Sequence, residues 1–428
     1  MKWLRRWGKA RSLVFGAVVL LISSCFLCTD AAAAQKIQYE RQSDRPVSEV
    51  LPPDMITGPH YRVRNTVVSN GYMNQFTVDS DFGVFEVTGN GALRKLIKEI
   101  QAIAALREIK KEAVYLDALK KAGTMPLDFG KNLITDPVNT VSGVSRGVSQ
   151  LFSNVAVGLS HKQAKGEDTR MEQALAVSSF KRDLASQLGV DVYSSNAVLQ
   201  KDLTNVAWAG ALGSLSLSAA LAPIGGPAVL TVQGTRLAQT MTDQLKEEPP
   251  ARLRSINEEK LAAMGIPRDL VDQFLDHPSY TPRHQTIITG CLDALKGASG
   301  RDAFIRLALS ANDEETANFF QDTVETMKGY HDTVSPMKEI SVVEVLVFAR
   351  AENGSILVPF PLDHGVWSEM ADRVLTHILA EYQASHPGAR RQYELWVTGT
   401  VTPLARRQLA QRGMKTTEHV DRLIPFMD

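Results

Sequence analysis

Acid and imidazole adjoin at three places: Asp276-His277, with His284 close behind, His331-Asp332, and Asp363-His364. An Asp–His pair can orient a general base for nucleophilic attack, and His, Asp and Glu together can hold a metal ion. Asp363-His364 is the most attractive pair. It follows Val358-Pro359-Phe360-Pro361 at an expected strand end, where loops often carry function. Neighbours in sequence often point apart, however. No H-E-x-x-H or C-x-x-C spacing occurs beyond the first 34 residues. The simpler role for Asp363 is to cap the helix that follows it. The catalytic candidates are therefore Asp363, His364, Asp276, His277 and His284, and no cofactor-binding or metal-binding set is expected.

Other chemical signals are thinner. Cys291 lies in the apolar helical run Ile287-Ile288-Thr289-Gly290-Cys291-Leu292, the setting of a buried core thiol. No G-x-S-x-G elbow, P-loop or dinucleotide G-x-G-x-x-G is present. Gly399-Thr400 before the helix at Pro403 offers amides to an anion, but Thr402 is better placed as that helix's N-cap.

The N-terminus carries the most specific signal. The first eleven residues hold five positive charges and no negative one, and an uncharged, mostly apolar run follows from Ser12 to Cys28. Asp30-Ala31-Ala32-Ala33-Ala34 closes the segment. A basic end, an apolar core and an A-x-A site describe a secretory signal peptide over residues 1–34. Ala32 and Ala34 fit the cleavage pocket, which makes Gln35 the mature N-terminus. Three other readings are weighed. Arg5-Arg6 suggests twin-arginine export, but the residues after the pair fit it poorly. Ile22-Ser23-Ser24-Cys25 loosely fits a lipoprotein signal, with Cys25 lipidated. An uncleaved anchor would need a longer apolar core.

The whole chain has 428 residues, with 47 Lys and Arg against 47 Asp and Glu. Loss of residues 1–34 takes five positive charges and one negative, leaving 42 basic and 46 acidic residues. That balance argues against bulk nucleic-acid binding. Only Cys291 remains after cleavage, so no internal disulfide forms. This favours a bacterial envelope over a eukaryotic extracellular setting.

The elements that must position these groups follow from periodicity. Residues 35–60 are polar and Pro-interrupted and read as a flexible leader. Residues 61–124 read as a β-hairpin sheet plus a long amphipathic helix. Asn70-Gly71 separates two alternating runs, and a two-residue turn there needs positive φ at both positions. Leu93, Leu96, Ile97, Ile100, Ile103, Leu106 and Ile109 recur at helical spacing. Arg94, Lys95, Lys98, Glu99, Lys110 and Lys111 fill the other face, as a solvated surface does. Residues 125–338 read as a helical domain. It has a helix start at Asp136-Pro137, an apolar stripe over 141–155, and helices over 171–188, 195–222, 228–246, 255–264, 267–275, 282–296, 300–311 and 313–330. Residues 339–428 read as a small α/β domain of order β-β-α-β-α-β. The fold class is α+β: a small N-terminal antiparallel sheet, a mostly helical middle and a C-terminal α/β module.

Leu203 to Thr235 contains no ionisable residue and is broken by Pro223-Ile224-Gly225-Gly226-Pro227. Its first arm, 203–222, has the length of a membrane span, with Gly210, Ser214, Ser218 and Ala222 four apart. Its Ser and Thr content suits a tightly packed soluble core better than lipid.

The function expected from these features is a non-enzymatic binding or structural protein of the bacterial periplasm. Its partner would be an envelope protein or the membrane surface, and not nucleic acid. The alternatives are an exported hydrolase or metal-dependent enzyme using the Asp-His pairs, and a membrane-associated protein using the 203–235 hairpin.

Overall fold

Alternation builds the first layer. In strand β5 (Asn74–Ser80) Asn74, Phe76 and Val78 point inward, and β5 is the centre of the N-terminal sheet. β3 (Tyr61–Val63) and β4 (Thr66–Ser69) lie end to end along one edge of it, and β6 (Gly83–Thr88) pairs along the other. β1 (Arg45–Pro46) and β2 (Thr57–Gly58) extend the sheet, and every pairing in it is antiparallel. The computed structural model describes residues 38–123, 167–224, 236–388 and 392–427. The start and stripe expected over 136–155 lie outside these residues.

Two expectations change here. The Asn70-Gly71 turn is a four-residue loop closed by Asn70 N–H on Met73 O at 3.1 Å. The Asn70 side chain accepts the N–H groups of Tyr72 and Met73, and of the two turn residues only Gly71 takes positive φ, 112°. The leader reading fails from Arg45 onward. Pro46, Pro52 and Pro53 punctuate two single-turn helices, α1 (Val47–Val50) and α2 (Pro53–Ile56), which seat Val47 and Leu51 in the core. Two isolated apolar anchors carry no periodicity, so the sequence pattern does not mark them.

Helix α3 (Asn90–Ile109) is the spine. Its first half buries Leu93, Leu96 and Ile100 beneath the sheet, and its second half buries Ile103, Leu106 and Ile109 among the helices that follow. Those are α4 (Ala113–Ala122), α5 (Glu167–Leu188), α6 (Ala197–Gly213), α7 (Leu217–Leu221), α8 (Arg236–Glu247), α9 (Pro250–Ala263), α10 (Arg268–Leu275), α11 (Pro282–Ala294), α12 (Arg301–Ala308) and α13 (Glu314–Thr333). Local chemistry starts several of them. Asn196 caps α6, Thr281 and His284 form a capping box on α11, and Asp313 caps α13.

The arm 203–222 is not one helix. Ser214 adopts left-handed φ of 64°, ending α6, and Ser216 caps the short α7. Leu203, Val206, Ala207, Trp208 and Ala209 are buried against the surrounding helices. No described helix is long and apolar enough to cross a membrane, and residues 225–235 lie outside the described set.

The C-terminal sheet runs β13-β11-β9-β8-β7. β7 (Met337–Val343), β8 (Leu346–Ala351) and β9 (Ile356–Pro359) form an antiparallel meander. β9, β11 (Tyr393–Trp396) and β13 (Met414–Thr417) run parallel. Between them come the small ribbon of β10 (His364–Gly365) and β12 (Thr400–Val401), α14 (Glu369–Ser385) and α15 (Pro403–Gln411). Val343, Val345, Val347 and Ala349 alternate as one strand would, yet they fall on two strands. Glu344, at φ 52°, turns the chain between β7 and β8, so the main sheet of the module has one more strand than β-β-α-β-α-β, and β10 and β12 add a separate ribbon. Val343-Glu344-Val345 alternates like a strand and carries no glycine to mark the turn.

Alternation covers both faces of this sheet. Phe348, Val358 and Leu395 meet α14 and α15, with the Phe348 and Tyr382 rings stacked at 4.2 Å, while Val347, Leu357 and Trp396 join the helical core. The fold is mixed α+β, and its elements from Arg41 onward close into one unit.

Candidate functional site

In open α/β sheets ligands bind outside the carboxyl ends of the parallel strands. Here that end is covered. Tyr72 O accepts the N–H groups of Asp363 (2.8 Å) and His364 (3.2 Å). The rings of Tyr72 and Phe319 pack edge-on to Phe360.

Asp363 works within this contact. Its carboxylate accepts the backbone N–H of Asn74 at 2.9 Å and of Asn90 at 3.1 Å. Asn90 opens α3, whose N-cap residue, Gly89, has no side chain to offer. Asp363 therefore caps α3 from a distant part of the chain. The helix that follows it, α14, is capped by Ser368 on Ala371 N–H at 3.1 Å, which corrects the expected cap. Burial pushes the Asp363 carboxyl up to about 6, against the pull of the Asn74 and Asn90 N–H groups. Close approach is enforced by Gly399, where a Cβ would lie 2.1 Å from Asp363 O. His364 Nδ1 lies 3.1 Å from Thr400 Oγ1.

Asp276, His277 and His284 do not converge either. Asp276 is exposed and pairs with Arg254 at 2.9 Å. His277 Nδ1 accepts Ser279 N–H, and Nε2 donates to Leu309 O. His284 is buried. Its Nδ1 accepts Thr281 N–H, and Nε2 donates to Asn318 Oδ1 at 2.8 Å. Desolvation holds its pKa below the ordinary imidazole value. His331 Nδ1 likewise accepts Met337 N–H at 3.0 Å, and Asp332 pairs with Lys328. These three imidazoles are engaged by nearby backbone. Cys291 is buried and its thiol is pushed well up by desolvation. Thr402 caps α15. Cys25, Ala32, Ala34 and Gln35 lie outside the described residues.

The structure assembles a different site. A cavity of about 520 Å³ opens between α3, α5, α8, the loop 189–193 and the chain segment 425–427. One wall is an ion-pair cluster. Lys95 Nζ lies 3.3 Å from Asp191 and 3.5 Å from Glu314, and Arg283 Nε lies 3.9 Å from Asp191. Burial opposes the charge on Lys95, but Asp191, Glu314 and Glu99 outweigh it and raise its pKa. Burial also opposes the Asp191 charge, and Lys95 and Arg283 overcome it, lowering that pKa. Glu99, with desolvation pushing its pKa up, is held by Ser194 at 2.6 Å and Asn196 at 3.0 Å. The face of α3 that reads as solvated is thus partly interior: Glu99 is buried, and Lys110 reaches the buried Asp202 at 2.6 Å.

The segment 425–427 is pinned over this wall. Arg283 donates to Met427 O at 2.8 Å, and Met427 N–H donates to Glu325 at 2.8 Å. On the opposite side stand Arg182 and Lys246. Sequence reasoning missed this site because its residues come one or two at a time from distant segments, with no shared spacing.

Glu344, His377 and Glu381 bring one ligand atom each within 4.8 Å of one another. All three are exposed, with His377 Nε2 at 3.2 Å from Glu344 and 3.4 Å from Glu381. They form a surface triangle that shows, among the described residues, no enclosing hydrogen bonds of the kind that orient metal ligands. No family model, curated protein or solved structure matches this chain.

Proposed function

We propose that the chain is an exported bacterial envelope protein that binds a small molecule, non-enzymatically, in the cavity between α3, α5 and α8. The observation that carries the binding reading is the cavity itself. At about 520 Å³ it falls within the range that encloses small organic ligands. Its walls are tied down by the Lys95–Asp191–Glu314 cluster and by Met427, so it is pre-formed, and little ordering would oppose binding. Export rests on the basic, apolar and Ala-rich order of residues 1–34. The Asp-His pairs support hydrolysis poorly, because their imidazoles and the Asp363 carboxylate already hold other groups.

The binding reading is tested on protein isolated from the envelope fraction, with its small-molecule content measured by mass spectrometry. A species that accompanies the wild-type chain near 1:1 and is lost from Ser186→Trp, which obstructs the cavity, supports it. The same content in both proteins overturns it. Intact mass tests export. A chain starting at Gln35, or lipidated at Cys25, supports it, and cytosolic protein retaining Met1 removes it.

A further inference from the structure

We infer that the cavity takes an organic oxyanion, a carboxylate or phosphate monoester on a small apolar body, with Arg182 as its principal contact. The inference rests on the cavity reading above and goes beyond it in naming the ligand's chemistry.

Arg182 is only 8% exposed and lines the cavity. A guanidinium is always charged and carries five N–H donors. Two are used: Nε donates to Lys246 O at 3.2 Å and NH1 to Ser178 Oγ at 2.9 Å. Among the described residues no carboxylate lies within 4.0 Å of it, so about three donors remain without a protein acceptor. Buried charge is ordinarily paired, and buried donors ordinarily bonded. Two acids on the same walls are already engaged, Asp191 by Lys95 and Arg283 and Glu99 by Ser194 and Asn196, and the third, Asp243, is exposed and lies beyond 4.0 Å of the guanidinium. Lys246 and Lys98, which also line the cavity, have no ion-pair partner among the described residues. An acceptor that enters the cavity can complete the remaining Arg182 donors.

Geometry narrows the class. Ser178, one turn before Arg182 on α5, and the Lys246 carbonyl, in the last turn of α8, fix the fork in place. A fixed planar fork suits the paired oxygens of a carboxylate or phosphate. A bare inorganic anion would leave most of the cavity empty. Leu245, Pro425 and Phe426 on its walls fit an apolar body.

Calorimetric titration of the full mature chain with phenyl phosphate, 3-phenylpropionate and the neutral 3-phenylpropanol tests this. One or both anions should bind 1:1, and the neutral alcohol at least 20-fold more weakly. Arg182→Gln should weaken the anion by roughly 20-fold or more, the size of a lost charge-assisted hydrogen bond. Arg182→Lys should restore part of the binding. Lys246→Gln, at a half-buried position, should cost a few-fold and serves if Arg182→Gln does not fold. Phenyl phosphate binding alone assigns a phosphate ester, and 3-phenylpropionate alone a carboxylate. Equal binding of the alcohol, no anion binding to wild type, or indifference to both Arg182→Gln and Lys246→Gln overturns the inference. A co-purifying neutral molecule lost from Ser186→Trp would leave the cavity reading standing and remove only the oxyanion.

Discussion

The Asp363 carboxylate caps the N-terminus of the helix that begins at Asn90, accepting that residue's N–H at 3.1 Å across 273 residues of chain. It accepts the N–H of Asn74 as well, so one side chain ties the N-terminal sheet, the spine helix and the C-terminal module together.

Asp363→Ala leaves two N–H groups without their acceptor in a covered contact, each worth about 1–3 kcal/mol. Loss of about 2–4 kcal/mol of unfolding free energy is expected in urea titrations. Asp363→Asn keeps an acceptor oxygen in place and should lose less than half as much. Equal losses for the two variants would show that the hydrogen bonds are not what Asp363 supplies.

The same residue gives a pH signature. Its folded-state value, about 6, lies above the ordinary 3.8. The folded protein therefore binds the proton more tightly than the unfolded chain. The stabilisation this gives is full below pH 3.8, fades as pH rises to about 6, and is absent above. The shift corresponds to about 3 kcal/mol. Unfolding free energies from pH 4 to 7 should show Asp363→Asn gaining on wild type as pH rises. A constant difference would place the Asp363 pKa at its ordinary value.

How far the sequence was legible follows the range of each interaction. The helical period of Leu93 to Ile109 and the cap at Thr402 are written within a few residues, and they are found where periodicity and side-chain chemistry put them. Ser214 and Glu344 reverse the chain with left-handed backbone but without glycine, so one helix reads as longer and two strands read as one. In sequence Asp363 stands out only for its neighbour His364, whereas its partners Asn74 and Asn90 are in another part of the chain. Arg182 carries no mark in the sequence, because an isolated Arg on a helix becomes unusual only when it is buried with no described carboxylate in ion-pair range.

Lys95 is expected to hold the cavity wall. It lies 3.3 Å from Asp191 and 3.5 Å from Glu314. Lys95→Met leaves two carboxylates close together with only Arg283, at 3.9 Å from Asp191, to balance them. Breaking a buried pair from one side costs about 3–5 kcal/mol, and partial exposure here brings the expected loss to about 2–4 kcal/mol at pH 7. The loss should shrink near pH 4, where the orphaned carboxylates take up protons. A pH-independent loss would point to packing of the Lys95 stem instead.

Gly213 shows why the uncharged stretch carries small residues. A Cβ there would lie 2.0 Å from the carbonyl oxygen of Ala118, so α4 and α6 touch backbone to backbone. Backbone cannot retreat as a flexible side chain can. Gly213→Ala must push two packed helices apart, with an expected loss of about 3 kcal/mol or more. Gly354→Ala is the control. That glycine has φ of 88° and nothing within 4 Å of a Cβ, so only backbone strain of about 1–2 kcal/mol is added. If Gly213→Ala unfolds no more readily than Gly354→Ala, the close helix contact is absent. The small residues of 203–213 would then need another explanation than packing against α4.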